Sequence, residues 1–162
     1  MGLDMYLEAR RYVSKQTYDH SDHSTTPVPE YSLIANTIFP ADADKFNDYA
    51  GLEVNLTVGY WRKANAIHGW FIKNCANGID DCQQVPVSLS ELTNLLTLVS
   101  DLLKTKDEAK AMEELPPTVG FFFGTYDLDE WYWNDLAHTK EILDHVLPMY
   151  DNSTSFYYRA SW

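Results

Sequence analysis

The segment GYWRKANAIHGW, residues 59–70, holds the residue types best suited to chemistry in this chain. Arg62 and Lys63 fall in the first turn of a predicted helix, where the helix dipole is positive and each cation costs about 0.3–1 kcal/mol. A compensating negative group is therefore expected nearby. Either carboxylates pair with the two cations, or a bound anion uses their side chains together with the free backbone N–H groups of the helix start.

Aromatic residues and a histidine flank these cations. Tyr60, Trp61 and Trp70 could stack on a nucleobase, although aromatic residues at a junction between a strand and a helix also pack cores. His68 lies on the apolar stripe of the predicted helix. It is expected to be a core histidine with satisfied hydrogen bonds, with general acid or base work as the alternative.

Arg159 is the only arginine after Lys63, and it shares one face of a predicted terminal strand with Tyr157 and Ser161. A guanidinium beside a phenol and a hydroxyl could hold a phosphate or a carboxylate, or it could pair with an acid across the sheet. If this strand lay beside the strand predicted at residues 53–60, Arg62 and Arg159 would converge on one anion pocket.

Net charge argues against direct nucleic-acid binding. Twelve Lys and Arg oppose 24 Asp and Glu, which gives a formal charge of −12, and binding to phosphate backbones depends on cations. Residues 76–162 hold 15 of the acids and only 5 of the bases. The exposed acids are expected to include Asp127, Asp129, Glu130 and those from Asp101 to Glu114, forming a surface for a basic partner. Helix capping by the first three and general solubility are the alternatives.

Metal and enzyme signatures are weak. His20 and His23 lie beside Asp19 and Asp22 in a segment with no third ligand motif, so a solvated turn is predicted. The acids and histidines at positions 135, 138, 141 and 145 share one side of a predicted helix, as surface charge pairs do.

Cys75 and Cys82 have a spacing unlike zinc or redox pairs and are predicted to be packed or free thiols. The chain has no GxxxxGK[ST], GxGxxG, HExxH or GxSxG motif, and no cofactor is predicted.

Hydrophobic periodicity predicts a mixed fold. Strands are predicted at residues 5–13, 31–39, 53–60, 85–87, 120–124 and 155–162, and helices at 61–75, 88–103, 106–115 and 129–147, with a short helix or turn at 41–51. Residues 14–30 are predicted to be a long loop. No regular βαβ units emerge, so we expect a single α+β domain over residues 1–162, with a mainly antiparallel sheet packed by two or three longer helices.

No apolar run reaches the length of a membrane helix, and the first residues lack the features of a signal peptide. With only two cysteines, the expected location is the cytoplasm.

Five segments together resemble a family of small proteins encoded by bacteriophages and prophages. They are MGLDMYL at residues 1–7, VGYWRKANAIHGWF at 58–71, GFFFG at 120–124, DEWYW at 129–133 and FYYRASW at 156–162. The resemblance implies an accessory phage protein acting in the host cytoplasm. It implies no activity, cofactor or catalytic residue.

Three functions follow as hypotheses. The first is a non-enzymatic, anti-CRISPR-like inhibitor whose acidic, DNA-mimicking surface occupies the basic groove of a host or defence protein that binds nucleic acid. The second is a sponge that holds a phosphorylated nucleotide between Arg62, Lys63, Arg159 and aromatic residues. The third, with the least support, is an enzyme that acts through His68 or a pair of carboxylates. None of the three involves a membrane.

Overall fold

A computed structural model describes residues 2–120 and 123–162. By its internal contacts the chain divides into two compact units, one made of Met1–Ala9 and Leu56–Trp162 and the other of Arg10–Asn55. The helices and the mainly antiparallel sheet confirm the predicted α+β class. The extent of a single domain over residues 1–162 stays a prediction.

The described residues form six strands and five α-helices. The strands are β1 Asp4–Ser14, β2 Gln16–Asp19, β3 Ser24–Pro27, β4 Gly51–Arg62, β5 Val85–Val87 and β6 Thr154–Ser161. The helices are α1 Pro29–Ile38, α2 Asn65–Cys75, α3 Leu89–Thr105, α4 Glu108–Glu114 and α5 Glu130–Val146. Short 3₁₀ turns lie at Ala43–Lys45 and Leu147–Met149.

The main sheet has four strands in the order β4-β1-β6-β5. Alternate residues of β1 and β6 point into the core of the larger unit: Met5 and Leu7 are fully buried, as is Leu3 just before β1, and Phe156 and Tyr158 are buried as well. The opposite face of the same strands carries polar side chains, because successive residues of a strand point to opposite sides. This alternation puts Arg159 on the polar face and Tyr158 in the core.

The helices of the larger unit form as their periodicity predicts. A capping box begins α3: the Ser88 hydroxyl accepts from the Glu91 N–H, and the Glu91 carboxylate accepts from the Ser88 N–H. Leu92, Leu95 and Val99 then bury one stripe of α3, which packs against α5. Since α5 is fixed on this core, its N-terminal turn is held in place beside the start of α2.

One predicted element is wrong in residues 31–51, and a second is confirmed. Residues 31–39 form most of helix α1 and not a strand: Pro29 begins the helix, and Tyr31 and Ala35, one turn apart, are buried while Leu33 is 71% exposed. The many β-branched residues favoured a strand, but burial at a spacing of four requires a helix. The short helix or turn predicted at residues 41–51 is confirmed by the 3₁₀ turn Ala43–Lys45, and Gly51 begins β4.

The segment predicted as a loop at residues 14–30 contains a β-hairpin. Strands β2 and β3 pair antiparallel, with Gln16 opposite Pro27 and Asp19 opposite Ser24. The carboxylates of Asp19 and Asp22 accept backbone N–H groups at the tip, which explains why a polar sequence can form a tight turn here.

The predicted strand at residues 120–124 includes Phe121 and Phe122, which lie outside the described residues. Gly120, Phe123 and Gly124 belong to no strand, and Phe123 is buried. In the described part of the chain, no helix is long and apolar enough to cross a membrane.

Candidate functional site

The chain turns sharply where β4 ends and α2 begins. Lys63 adopts a left-handed backbone conformation, with φ of 60°, which reverses the chain direction between strand and helix. Its N–H donates to the Leu3 carbonyl at 2.8 Å, and the Asn65 N–H donates to the Lys63 carbonyl at 2.8 Å. Arg62 is the last residue of β4 and Lys63 precedes Ala64, the N-cap residue of α2, so the prediction that both cations lie in the first turn of the helix is wrong. This turn, residues 62–64, is called the RK turn below, and it holds the two cations just before the N-terminus of α2.

A cleft of about 470 Å³ opens beside this turn, within the larger unit. Its volume falls in the range of small-molecule sites, about 300–1,000 Å³. The charged groups in its lining are two cations and two carboxylates. The lining residues are Arg62, Lys63, Asn65, Ala66, Gly124, Thr125, Asp127, Trp131, Tyr132 and Asp135.

Both cations lack the partners that the first alternative requires. Among the described residues, neither Arg62 nor Lys63 forms an ion pair with a carboxylate. Helix α2 has no acidic residue in its first turn, and no side chain in the described structure caps its N-terminus. Within the described residues the two cations thus lie beside a positive helix end without an ion pair, which favours the anion alternative.

The segment between the two walls is fixed by polar contacts. The buried Asn65 side chain donates from Nδ2 to the Thr125 carbonyl at 2.8 Å. The Thr125 hydroxyl donates to the Asp129 carboxylate at 3.1 Å. These two bonds join the start of α2 to the start of α5 through residue 125, so the cleft does not depend on an unsupported loop.

The far wall comes from the first turns of α5. Trp131 is 73% exposed, whereas Asp135, one helical turn later on the same face, is half-buried. Burial raises the pKa of Asp135 to about 6, although the nearby His138 acts to lower it. No hydrogen bond from a described residue reaches the Asp135 carboxyl group, and only its backbone carbonyl accepts one, from Thr139.

His68 and the tryptophans of the predicted stacking site belong to the core. His68 is fully buried; its Nδ1 lies 2.7 Å from the Tyr158 hydroxyl and its Nε2 lies 3.0 Å from the Asp80 carboxylate. The interpretation as a satisfied core histidine is therefore confirmed. Trp61 and Trp70 are also buried, with the Trp61 indole donating to the Thr139 hydroxyl at 2.9 Å.

Arg159 does not join Arg62. Strand β1 lies between β4 and β6, so the condition for a shared pocket is not met and that prediction is wrong. The Arg159 guanidinium instead donates from Nε to the buried Glu8 carboxylate at 2.7 Å and lies over the Tyr6 ring, 4.1 Å from its centroid. The acid across the sheet, the second alternative, is what the structure shows.

Tyr60 and Tyr157 also lie apart from the cleft. The Tyr60 hydroxyl donates to the Asp4 carboxylate at 2.5 Å, and its ring contacts Tyr6. Tyr157 is half-buried in β6 and lies outside the cleft lining. Of the eight residues predicted to bind a ligand, Arg62 and Lys63 line the cleft.

The predicted acidic surface is partly occupied by structural roles. Asp129 caps α5, accepting from the Tyr132 N–H at 3.0 Å, and Asp101 pairs with Lys110 at 2.8 Å. Asp127 and Glu130 are exposed. Two of the three residues predicted for partner binding thus present a free carboxylate to solvent.

Metal binding finds no support in the part of the chain that the structure describes, because no group of three or more His, Cys, Asp or Glu could hold an ion there. His23 contacts the Tyr18 hydroxyl at the hairpin tip. Cys75 and Cys82 are free thiols, and burial raises the pKa of Cys75 to about 12, which suppresses its reactivity.

Sequence reasoning missed Trp131, Asp135 and Asn65 as cleft residues. An exposed tryptophan one turn before an acid on the same helix face was the available signal. This signal identifies a site only when the tertiary structure brings α5 and the RK turn to the same cleft. Comparison with protein-family models, with curated proteins and with solved structures gave no match to this chain.

Proposed function

We propose that this protein binds a phosphorylated small molecule, a nucleotide, in the cleft between the RK turn and α5. The observation that carries the proposal is that one cleft is lined by the exposed indole of Trp131 and by two cations, Arg62 and Lys63, which form no ion pair with a described residue. An anionic group and an aromatic group on one ligand match these two features of the cleft.

The phosphate end is formed by Arg62, Lys63 and the N-terminus of α2. A guanidinium can donate two parallel hydrogen bonds to a phosphate, and an ammonium adds a point charge. The start of α2 contributes a positive dipole end, and its own first turn holds no acidic residue. A phosphate at this position would compensate the cations that the fold leaves without partners.

The base end is formed by Trp131. Stacking of a base on an aromatic side chain contributes about 1–3 kcal/mol, and this interaction accepts any base because every base has a π-face. Most of the indole surface is exposed to solvent. The function is binding or sequestration, since the cleft holds no recognised catalytic constellation.

The test is Arg62→Gln, with Lys73→Gln as its matched control. Lys73 is an exposed cation in the last turn of the same helix, away from the cleft. Thermal shift and calorimetric titration with AMP, GMP and inorganic phosphate should show nucleotide binding to the wild type and the control. Loss of one charge-assisted contact should weaken binding to Arg62→Gln about 10- to 100-fold.

The stability of ligand-free Arg62→Gln separates this proposal from a structural role. An exposed cation without a partner should leave the free energy of unfolding within about 0.5 kcal/mol of the wild type. A strongly destabilised Arg62→Gln protein, with no nucleotide or phosphate stabilising either form, would contradict the proposal.

A second candidate is the acidic surface itself, acting on a basic protein that binds nucleic acid. Asp127 and Glu130 are exposed beside two exposed aromatic residues, Tyr126 and Trp131, and aromatic residues are enriched in protein interfaces. The double variant Asp127→Lys/Glu130→Lys should lose capture of nucleic-acid-binding proteins from a host extract. Capture by the wild type should also fall steeply with salt. Capture that survives both changes would remove this candidate.

A further inference from the structure

Asp135 is a half-buried acid of the cleft to which the described residues donate no hydrogen bond. Its carboxyl group reaches solvent only in part. A carboxylate that is partly removed from water is stabilised by donors, and here the described protein supplies none. A ligand that brings donors to this position would therefore gain a charge-assisted interaction.

Trp131 and Asp135 are set at a spacing that suits one base. They lie four residues apart on α5, which corresponds to one turn and a rise of about 6 Å, and both line the same cleft. We therefore expect a base stacked on the indole to bring its edge to the carboxylate. The two cations of the cleft are left for the phosphate.

We propose that the cleft selects guanine nucleotides, with the Asp135 carboxylate accepting hydrogen bonds from the donor edge of the base while Trp131 stacks on its face. This inference rests on the proposed nucleotide-binding function and names its substrate class. Asp135 acts as a specificity-determining residue.

The chemistry of the base edges gives the selectivity. Guanine presents two adjacent donors, N1–H and the exocyclic amino group, which match the two oxygens of one carboxylate. Hypoxanthine keeps N1–H but lacks the amino group. Adenine places the lone pair of N1 beside its amino group, and uracil places carbonyl oxygens on both sides of its only N–H. In both cases an acceptor would face the carboxylate, which is unfavourable in a partly dehydrated site.

The charges of the cleft agree with this orientation. Arg62 and Lys63 lie before α2, whereas Asp135 belongs to α5, and among the described residues no ion pair joins them. A nucleotide in the reverse orientation would place its phosphate against a carboxylate. That repulsion and the lost phosphate contacts both favour the orientation with the base on α5.

The experiment is calorimetric titration of the full chain with GMP, IMP, AMP and UMP, which share the same phosphate. For the wild type we expect GMP to bind about 10-fold more tightly than IMP, and about 100-fold more tightly than AMP or UMP. Asp135→Asn should weaken GMP binding about 10-fold or more and reduce the preference over AMP. Glu141→Gln, an exposed acid on the same helix outside the cleft, should retain the wild-type order.

The outcomes separate this inference from the function on which it rests. Equal affinities for the four nucleotides, or a GMP preference that Asp135→Asn leaves intact, would overturn guanine selection while nucleotide binding through Arg62 stands. Tighter binding of AMP than of GMP would overturn it in the same way. Failure of all four nucleotides to bind the wild type would overturn both proposals.

Discussion

Replacement of Asp135 with asparagine should stabilise the ligand-free protein at neutral pH. The carboxyl group is half-buried in the cleft, and burial raises its pKa to about 6 from an ordinary value of 3.8. Asp135 thus binds its proton more tightly in the folded protein than in the unfolded chain. Above about pH 6 the folded state carries an ionised, poorly solvated carboxylate, and the amide of asparagine removes that charge with little change in shape.

The magnitude follows from the two pKa values. A change from 3.8 to about 6 corresponds to about 3 kcal/mol, because each tenfold change in proton affinity is worth about 1.4 kcal/mol. Part of the carboxyl group reaches solvent, which screens its charge, so the stabilisation that we expect at pH 7 is about 1–2 kcal/mol.

The stability gained by Asp135→Asn should depend on pH. As the pH falls from about 6 to below 3.8, Asp135 becomes protonated in both states and its penalty disappears. Urea unfolding of the wild type and Asp135→Asn should therefore show the stability gain at about pH 7 and almost none at about pH 3.5. Asp127→Asn makes the same chemical change at an exposed position of the cleft and should alter stability by less than about 0.5 kcal/mol at either pH.

Two results would refute this reasoning. A loss of stability at pH 7 would mean that the Asp135 carboxylate has a stabilising partner in the folded protein. An equal gain at both pH values would mean that the amide, and not removal of the charge, is responsible. If the expected gain is accompanied by weaker GMP binding, the carboxylate is a group kept for function at a cost in stability.

Two further predictions concern contacts away from the cleft. Thr139→Val should lower the free energy of unfolding by about 1–3 kcal/mol because it leaves the buried Trp61 indole without its acceptor, whereas Thr139→Ser should stay near the wild type; equal losses in urea unfolding would contradict this. Arg159→Gln should cost about 2–3 kcal/mol by removing the cation beside the buried Glu8 carboxylate, and the second change Glu8→Gln should recover most of the loss. A double-mutant cycle with additive effects would show that the pair is not coupled.

The sequence determined those elements whose signals are local. The spacing of leucines and the Ser88–Glu91 capping box specify α3 without reference to the rest of the chain, and Asp129 marks the start of α5 in the same way. The alternation in residues 53–60 likewise indicates β4. The α+β class follows from these elements because their order contains no regular βαβ unit.

Residues 31–39 show where local signals fail. Their β-branched and aromatic side chains favour a strand, yet only the spacing of Tyr31 and Ala35 matches the surface that buries them. Local propensity is weak compared with burial, so the tertiary environment decides between helix and strand. The hairpin at residues 16–27 has the same origin, since its short polar strands gain order by pairing with each other.

The sequence identified one wall of the candidate site, and the tertiary structure supplied the other. The sequence predicts that two cations near the start of a helix require a compensating negative group, and Arg62 and Lys63 do line the cleft. Their meeting with Trp131 and Asp135 depends on how α5 packs about 70 residues later, which no local pattern encodes. The strand order alone separated Arg159 from Arg62, because insertion of β1 between β4 and β6 gave Arg159 a partner in Glu8. Residue types thus set which chemistry the chain could perform, and long-range packing decided which of those residues meet.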